Sequence, residues 1–520
     1  MSSSRGIVYL VGAGPGDPGL LTLRGADLLG RAEVVIYDHL ASNRLLDLAP
    51  PHAIRICAGK SSGHCTLGQD QINALLLEHG QAGRVVVRLK GGDPLVFGRG
   101  AEEAEHLAHH GVRFEIVPGV TAGVGVTAYS GISVTHRGVS SAVAFVTGHG
   151  DPEADEEARS VRVDRSRLDW SALARFPGTL VVYMGVTHLA AICRTLLKSG
   201  KDGRTPAAVI ESGTLPAQRV FEGTLATIAE EARGHDVHPP ALLVVGAVVE
   251  RRRELLWYDS LPLFGQRIVV TRPMEEAVRT APGLEALGAE VLLAPTVQIL
   301  PVADPGPLDH AIGRLAEFEW LVFTSGNGVR FFLERLLSLG RDLRAIGHLK
   351  LAAIGPATAQ SLARYHLRAD LVPDSYRSEA LAEALALQAA GRRILLARAD
   401  RGRALLKEEL EKVADIHQVS VYQNADAENV PELVAQRIGS GTVDWITLTS
   451  SAIATRLHAL LPEAARSLVG RQIRLASLSP VTSATVNQLG WDVAVEASIS
   501  TWEGLVQALV DHVAAERRGH

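Results

Sequence analysis

Short apolar runs, each broken by glycine or by a polar residue, set the rhythm of the first half of the chain. Residues 7–11 (IVYLV), 34–37 (VVIY), 54–57 (IRIC), 85–87 (VVV) and 114–117 (FEIV) have the length and composition of strands. Helical patterning occupies residues 22–30 and 101–110 between them. Strands alternating with helices predict a parallel sheet of the α/β class. The breaks are as informative as the runs. GAGPGDPG (12–19), GGDP (91–94) and PGVTAG (118–123) each follow a strand, and ligands of open α/β sheets sit just beyond the strands' carboxyl ends.

The stretch 88–100, RLKGGDPLVFGRG, organises this half. Gly91 and Gly92 lack a Cβ, so backbone can come close to a ligand there. Asp93 can accept hydrogen bonds from hydroxyl or amino groups, and Pro94 stops the strand. Taken alone, these residues fit an ordinary strand-to-helix turn equally well. The first glycine loop invites a dinucleotide reading and fails it. The spacing G-x-G-x-x-G from Gly12 needs glycine at 17, where Asp17 stands, and Pro15 removes an amide from any pyrophosphate cradle. Asp38 closes the second strand, as a candidate for chemistry or as a simple turn acid. Lys60 follows the third, as an anion contact or an exposed lysine. Residues 131–137, GISVTHR, add His136 and Arg137. Several such loops on one edge fit a pocket better than unrelated turns.

Composition narrows the class without naming a function. A length of 520 residues suggests roughly three or four domain-sized units, and 47% hydrophobic content is ample for their cores. A formal net charge of -5 with 21% charged residues argues against a nucleic-acid protein held by a basic field. Cys57, Cys65 and Cys193 form no CxxC pair and leave an odd thiol, which points to a reduced, cytoplasmic setting. No apolar stretch reaches about 18 residues, so no membrane span is expected. The first residues also lack the layout of a signal peptide.

In order along the chain, VYLVGAGPGDPGLLTL, VIYDHL, AGK, VVRLKGGDPLVFGRG, VPGVTAG, AYSGISVTHR and VTGH resemble the uroporphyrinogen-III C-methyltransferases. YMG (183–185), ESGT (211–214) and PALLVVGAVV (240–249) continue the resemblance to about residue 257. It implies a two-lobed tetrapyrrole-methylase fold over 1–257 and S-adenosylmethionine as donor, leaving S-adenosylhomocysteine. It also implies two methylations of uroporphyrinogen III to precorrin-2, and a homodimer formed through this half. The resemblance assigns cofactor contacts to Pro15, Gly91, Gly92, Asp93, Val96, Thr121, Ala122, Met184 and Gly213. Asp38 matches the proton acceptor and Lys60 the proton donor. Methyl transfer from a sulfonium is an in-line displacement, so positioning in a dry pocket should supply most of the rate, while a carboxylate draws a proton from the tetrapyrrole. The substrate's acetate and propionate arms make Arg99, His136 and Arg137 candidate anion partners, against solvated surface roles.

Bifunctional relatives carry a dinucleotide domain ahead of the methylase. This chain starts at the first methylase strand, so oxidation and iron insertion are expected of another protein. Residues 151–168, acidic first and basic after, read as an exposed insertion without chemistry. Residues 250–264, ERRRELLWYDSLPLF, form the joint, with a solvated helix end at the arginines 251–253 and a linker at 258–264.

The second half repeats itself. GQRIVVTR (265–272) echoes GRRILLAR (391–398), FEWLVFTS (318–325) echoes VDWITLTS (443–450), and IGPAT (354–358) echoes LSPVT (478–482). The intervals between them agree to within one residue. Two domain-sized copies mean a duplicated α/β lobe rather than a solenoid. Thr324, Ser325, Asn327, Thr449, Ser450 and Ser451 follow strands and can cap the next helices, whose amino ends also offer amides to a substrate carboxylate.

TRP, FTSxNGV, IGPAT, VY, TSS and a last GLVQAL, in this order, resemble uroporphyrinogen-III synthase over about residues 265–515. Ser479 stands where the first copy has Gly355, which weakens the case for close backbone approach there. The resemblance implies a two-lobed α/β fold that cyclises hydroxymethylbilane, losing water and inverting the last ring, with neither cofactor nor metal. It places substrate contacts at the six strand-end residues and at Thr358. Tyr422 could donate a proton to the departing hydroxyl, or be a core-edge tyrosine. One lobe is expected from about 265–300 plus 420–515 and the other from about 301–419.

The reading that results is a bifunctional cytoplasmic enzyme that makes uroporphyrinogen III and methylates it to precorrin-2 for siroheme or cobalamin. Its partners are small tetrapyrroles, with neither nucleic acid nor membrane. One rival is a related methylase acting on RNA or a protein, which YDHL, GK, THR and the lack of a basic stripe oppose. The other makes the second half a tetrapyrrole-sensing module that regulates the methylase without catalysis.

Overall fold

The computed structural model describes residues 6–39, 41–59, 67–148, 168–375, 377–400 and 405–519. Lys60, Cys65 and residues 151–167 of the expected insertion lie outside the described residues. The chain divides into two compact units, residues 1–266 with 284–290 and residues 267–283 with 291–520.

The first unit contains two five-stranded sheets. Strands β1 (Ile7–Gly12), β2 (Val34–Tyr37), β3 (Ile54–Cys57), β4 (Val85–Lys90) and β5 (Arg113–Val117) are all parallel, in the order β3-β2-β4-β1-β5. Alternate side chains feed opposite faces, as the strand period of two requires. Val11, Val35 and Val87 join one apolar cluster with Leu28 and Leu45, whereas Val8, Val34 and Val86 join another with Leu76 and Leu107. β4 runs past its apolar triplet, so Arg88 and Lys90 are strand residues, each only 2% exposed. The second sheet is mixed. Strands β6 (Val143–Thr147), β7 (Thr179–Tyr183), β8 (Pro206–Glu211), β9 (Arg219–Thr224) and β10 (Ala241–Val245) lie in the order β6-β7-β10-β8-β9, and only β6 and β7 are parallel.

Residues 258–264, expected as a linker, instead belong to the first unit. Tyr258 and Leu263 are buried. The Trp257 indole donates to the Ala128 carbonyl at 3.0 Å, and the Tyr258 hydroxyl to that of Thr214 at 3.3 Å. Large apolar groups gain too much from burial to stay in a free tether. Nor is the whole arginine run solvated: Arg252 is held between Glu222, at 2.9 Å, and Asp259.

The second half adds β11 (Arg267–Val270), β12 (Glu290–Leu293), β13 (Val297–Pro301), β14 (Trp320–Phe323), β15 (Lys350–Ala353), β16 (Arg393–Ala399), β17 (Asp415–Asp426), β18 (Trp445–Leu448), β19 (Arg474–Ser477) and β20 (Val495–Glu496). They form sheets of order β12-β11-β18-β19-β20 and β13-β17-β16-β14-β15. The two sequence copies trade their first strands. β11 of the first copy pairs with β18 of the second, Ile268 opposite Trp445, while β16 of the second pairs with β14 of the first, Ile394 opposite Trp320. The expected lobe limits shift. β13 and β17 pair antiparallel from Val297↔Asp426 to Pro301↔Tyr422, so residues 297–300 and 420–426 lie in the sheet of the middle lobe. A strand of 12 residues, bound along one edge to β16, carries its partner β13 into that sheet with it. No helix among the described residues is long and apolar enough to cross a membrane.

Trp320 and Trp445 occupy equivalent places and are 2% and 0% exposed. Trp445→Ala is expected to destabilise the second unit by about 3–5 kcal/mol. A denaturant titration should show that unit's midpoint fall, and an unmoved midpoint would contradict the tryptophan's place in its core.

Candidate functional site

Three strand ends of the first unit meet backbone to backbone. The Gly92 N–H donates to the Gly14 carbonyl at 2.7 Å, and the Gly14 N–H returns the bond at 3.2 Å. A Cβ on Gly119 would lie 2.3 Å from the Gly92 oxygen, and one on Gly12 would lie 2.5 Å from Gly119 Cα. Gly14 and Gly92 also have left-handed φ values of +77° and +67°, which glycine adopts without strain. Asp93 ties the same loops together. Its Oδ1 accepts from the Leu95 N–H at 2.8 Å and its Oδ2 from the Gly119 N–H at 3.0 Å.

The second sheet supplies the opposite wall. From β7, the Tyr183 hydroxyl accepts from the Gly123 N–H at 2.6 Å and bonds Thr121 Oγ1 at 2.7 Å. Its ring packs against Phe97 with centroids 4.8 Å apart. Burial pushes the phenol pKa up. Tyr183 thus fixes the first turn of the helix Ala122–Tyr129. Val96 and Ala122 pack on the apolar cluster beneath this sheet. Gly213 presses so close to Val126 that a Cβ there would lie 2.3 Å from Val126 Cγ1, and Pro15 Cγ lies 2.7 Å from where a Cβ of Gly125 would be. The Asp17 N–H donates to Thr214 Oγ1 at 3.1 Å and Asp17 Oδ2 accepts from the Tyr129 hydroxyl at 2.6 Å, which ties the first glycine loop to both. Phe97, Arg99, Met184, Ser212 and Thr214, all in these loops, have positive φ. Such strain gathers where surrounding structure over-determines the backbone, as at ligand sites.

Pro15, Gly92, Asp93, Val96, Thr121, Ala122 and Gly213 therefore converge on one helix start; Gly91 precedes Gly92, and Met184, half exposed, follows Tyr183. Asp38 stands at the end of β2 with Oδ1 2.5 Å from Arg88 Nη2. Arg99, His136 and Arg137 are exposed. Arg99 grips Glu102 with two bonds of 2.9 and 2.6 Å, and the His136 ring lies 2.9 Å from the Arg137 carbonyl.

In the second unit the two copies cap their helices alike. Ser325 Oγ accepts from the Gly328 N–H at 2.9 Å and Ser450 Oγ from the Ile453 N–H at 3.3 Å. Ser451 is tied elsewhere, to Thr485 at 2.8 Å and the Val481 carbonyl at 3.3 Å. Thr324, Asn327 and Thr449 are half-buried at the same strand ends, and Thr358 is buried. The absent second glycine changes nothing in the backbone: Gly355 has φ -174° and Ser479 -159°, extended values open to any residue, and Ser479 Oγ also accepts from the Thr482 N–H. The Tyr422 hydroxyl lies 3.1 Å from Ser325 Oγ, its ring stacks on Phe331 at 5.7 Å, and burial raises its pKa.

A family profile described as Tetrapyrrole (Corrin/Porphyrin) Methylases matches residues 7–229, and one described as Uroporphyrinogen-III synthase HemD matches residues 278–507. The "Porphyrin biosynthesis protein HemD" of Ruminiclostridium josui is 37% identical over 382 residues, covering 74% of each chain. The "Uroporphyrinogen-III C-methyltransferase" of Bacillus subtilis (strain 168) is 39% identical over 377 residues, 72% of this chain and 75% of that one. The chain belongs to the tetrapyrrole methylases, with a uroporphyrinogen-III synthase half behind. The "S-adenosyl-L-methionine-dependent uroporphyrinogen III methyltransferase" of Methanosarcina barkeri (strain Fusaro / DSM 804) is 50% identical over 249 residues, 48% of this chain and 94% of that one. The chain is therefore an enzyme that joins a methyltransferase to a synthase.

In the methylase half, motif reading did not reach Tyr183's part in holding the helix start, nor the burial of Arg88 and Lys90. The signal for the latter was present. Residues two apart on a strand share a face, and Glu103 in the first turn of the next helix supplies a partner. Gly119→Ala is expected to destabilise the methylase half by about 1–3 kcal/mol through overpacking. Gly234→Ala, where a Cβ would meet nothing within 4 Å, should leave thermal unfolding unchanged. Equal midpoints for the two variants would refute the close crossing.

Proposed function

We propose that the chain closes hydroxymethylbilane to uroporphyrinogen III in its synthase half. The methylase half then methylates that ring twice with S-adenosylmethionine, giving precorrin-2. The observation that carries the methylase reading is the crossing of Gly12, Gly92 and Gly119, which presents bare backbone edges beside a carboxylate, with Asp38 at a neighbouring strand end of the same sheet. Backbone without side chains suits a flat nucleoside, and Thr121 and Ala122 start the adjoining helix. Bound S-adenosylmethionine would supply an electrophilic methyl group. The chain's own part is to hold that group against residues 91–93 and 121–122 and to exclude water, while Asp38 receives the proton that the ring sheds.

In the synthase half, Tyr422 supports the role of acid. Its phenol is protonated at neutral pH with or without the upward shift that burial gives it, so a proton is there to donate. Its bond to Ser325 places that oxygen beside a capped helix start, where a departing hydroxyl can take the proton.

Full-length protein given hydroxymethylbilane should form the type III ring without S-adenosylmethionine and methylate it once the donor is added. Formation of the symmetrical type I ring alone would mean that the second half senses tetrapyrroles rather than making them. Asp93→Ala is expected to weaken S-adenosylmethionine binding about tenfold or more with cyclisation intact; loss of both activities together would point to unfolding. Tyr422→Phe should slow cyclisation about 10- to 100-fold and leave methylation of supplied uroporphyrinogen III unchanged. A full cyclisation rate in that variant would remove Tyr422 from the chemistry.

A further inference from the structure

Between the parallel sheet and the helix Gly100–His109 lies a group of charges to which nothing above gives a task. Arg88 and Lys90 are each 2% exposed and Glu103 is 0% exposed. Glu103 Oε1 accepts from Lys90 Nζ at 2.8 Å, Arg88 Nε at 3.2 Å and Gln69 Nε2 at 3.2 Å. Its Oε2 is buried with no partner among the described residues. Arg88 turns its other nitrogens to the carbonyls of Ile36, at 3.5 Å, and Leu89, at 3.4 Å, and to Asp38 Oδ1, at 2.5 Å. Asp38 alone of the four reaches solvent, with 30% of its side chain exposed.

Two cations and two carboxylates balance only while Asp38 is ionised. A proton on Asp38 leaves a buried positive charge uncompensated, which is costly in so dry a place. Burial already lowers the pKa of Lys90, as expected where cations crowd. The guanidinium cannot swing away from Asp38, because Glu103 and two backbone carbonyls hold its other edges.

We propose that Arg88 is the positioning residue of the methyl transfer: locked inside the sheet, it pins Asp38 Oδ1 in one charged orientation and leaves the other oxygen to take the substrate's proton. This rests on the reading of Asp38 as proton acceptor. In the step it serves, the ring carbon bonds the methyl group as the sulfonium C–S bond breaks, and that bond's electron pair stays on sulfur as a neutral thioether. The proton then shed by the ring passes to Asp38. The charged or titratable groups on the elements around Asp38 are Arg88 and Lys90 of β4 and Glu103 behind them. Arg55 and Cys57 of β3 face Tyr37, His39 is the next residue in the chain, and Lys60 lies outside the described residues.

The test is steady-state methylation of uroporphyrinogen III by full-length protein, with S-adenosylhomocysteine calorimetry to confirm a folded methylase half. Arg88→Gln is expected to lower kcat at least about tenfold with both KM values within about threefold. Arg88→Lys keeps a buried cation but not the fork, so kcat should stay low with both KM values near wild type. An unchanged kcat in Arg88→Gln would overturn the proposal. If that variant does not fold, an unchanged kcat in Arg88→Lys overturns it instead. Asp38→Asn separates the two ideas: a normal kcat there sinks the proton-acceptor reading and the proposal with it. A lost kcat in Asp38→Asn beside a normal one in Arg88→Gln sinks only the proposal.

Discussion

The methylase half depends on one steric constraint, the close crossing of three backbones at Gly12, Gly92 and Gly119. A Cβ on Gly12 or on Gly119 would fall within 2.7 Å of the Gly92 carbonyl oxygen, and Gly92 itself holds a left-handed φ of +67°. Because the strand tips touch, a single carboxylate can bridge two of them, and Asp93 does so through two backbone amides. Because the loops are locked, Tyr183 can reach across from the second sheet and hold the next helix by its first turn. Remove the contact and these bonds have no fixed frame. The five strained non-glycine residues in the same loops fit this order of dependence: their cost is tolerable only where neighbours over-determine the path.

The synthase half is built on a different constraint, a duplication whose copies exchange their first strands. Ile268 faces Trp445 and Ile394 faces Trp320, so each lobe's central pair joins one strand from either copy. Neither copy can complete a sheet from its own sequence. The chain must cross twice between lobes, and β13 and β17 are those crossings, paired antiparallel with each other. Equivalent rims follow from equivalent sheets, with Ser325 and Ser450 capping helices at matching strand ends. Tyr422 breaks the symmetry, since it sits on a crossing strand and reaches Ser325 of one rim.

Much of this was legible in the chain, for identifiable reasons. Buried parallel strands write themselves as β-branched runs, and the punctuation after them marked the loops that meet. The duplication was visible because Trp320 and Trp445 fill the same niche in two cores. Other features were hidden by their nature. Pattern reading stops a strand at its first charge, so Arg88 and Lys90 fell into the loop although they lie in the sheet. Residues 258–264 read as a tether because proline and polar residues interrupt them, while Tyr258 and Leu263 decide their fate by burial. Ser479 seemed a defect because glycine suggests a special conformation; the backbone at Gly355 is merely extended. Sequence gives residue types, and only the fold says which of their properties is used.

Both halves bury cations in a sheet strand, Arg88 and Lys90 in β4 and Arg398 in β16. Two cations in a central strand do not stabilise a fold, since apolar residues of similar size would pack there at lower cost. What they serve is read from Asp38, which stands at the open end of the cluster with 30% of its side chain exposed. The synthase half buries a cation too, Arg398 of β16 at 7% exposed, close enough to Tyr422 to oppose the upward shift that burial gives its phenol. The methyl transfer proposed above gains from a fixed guanidinium that orients its carboxylate.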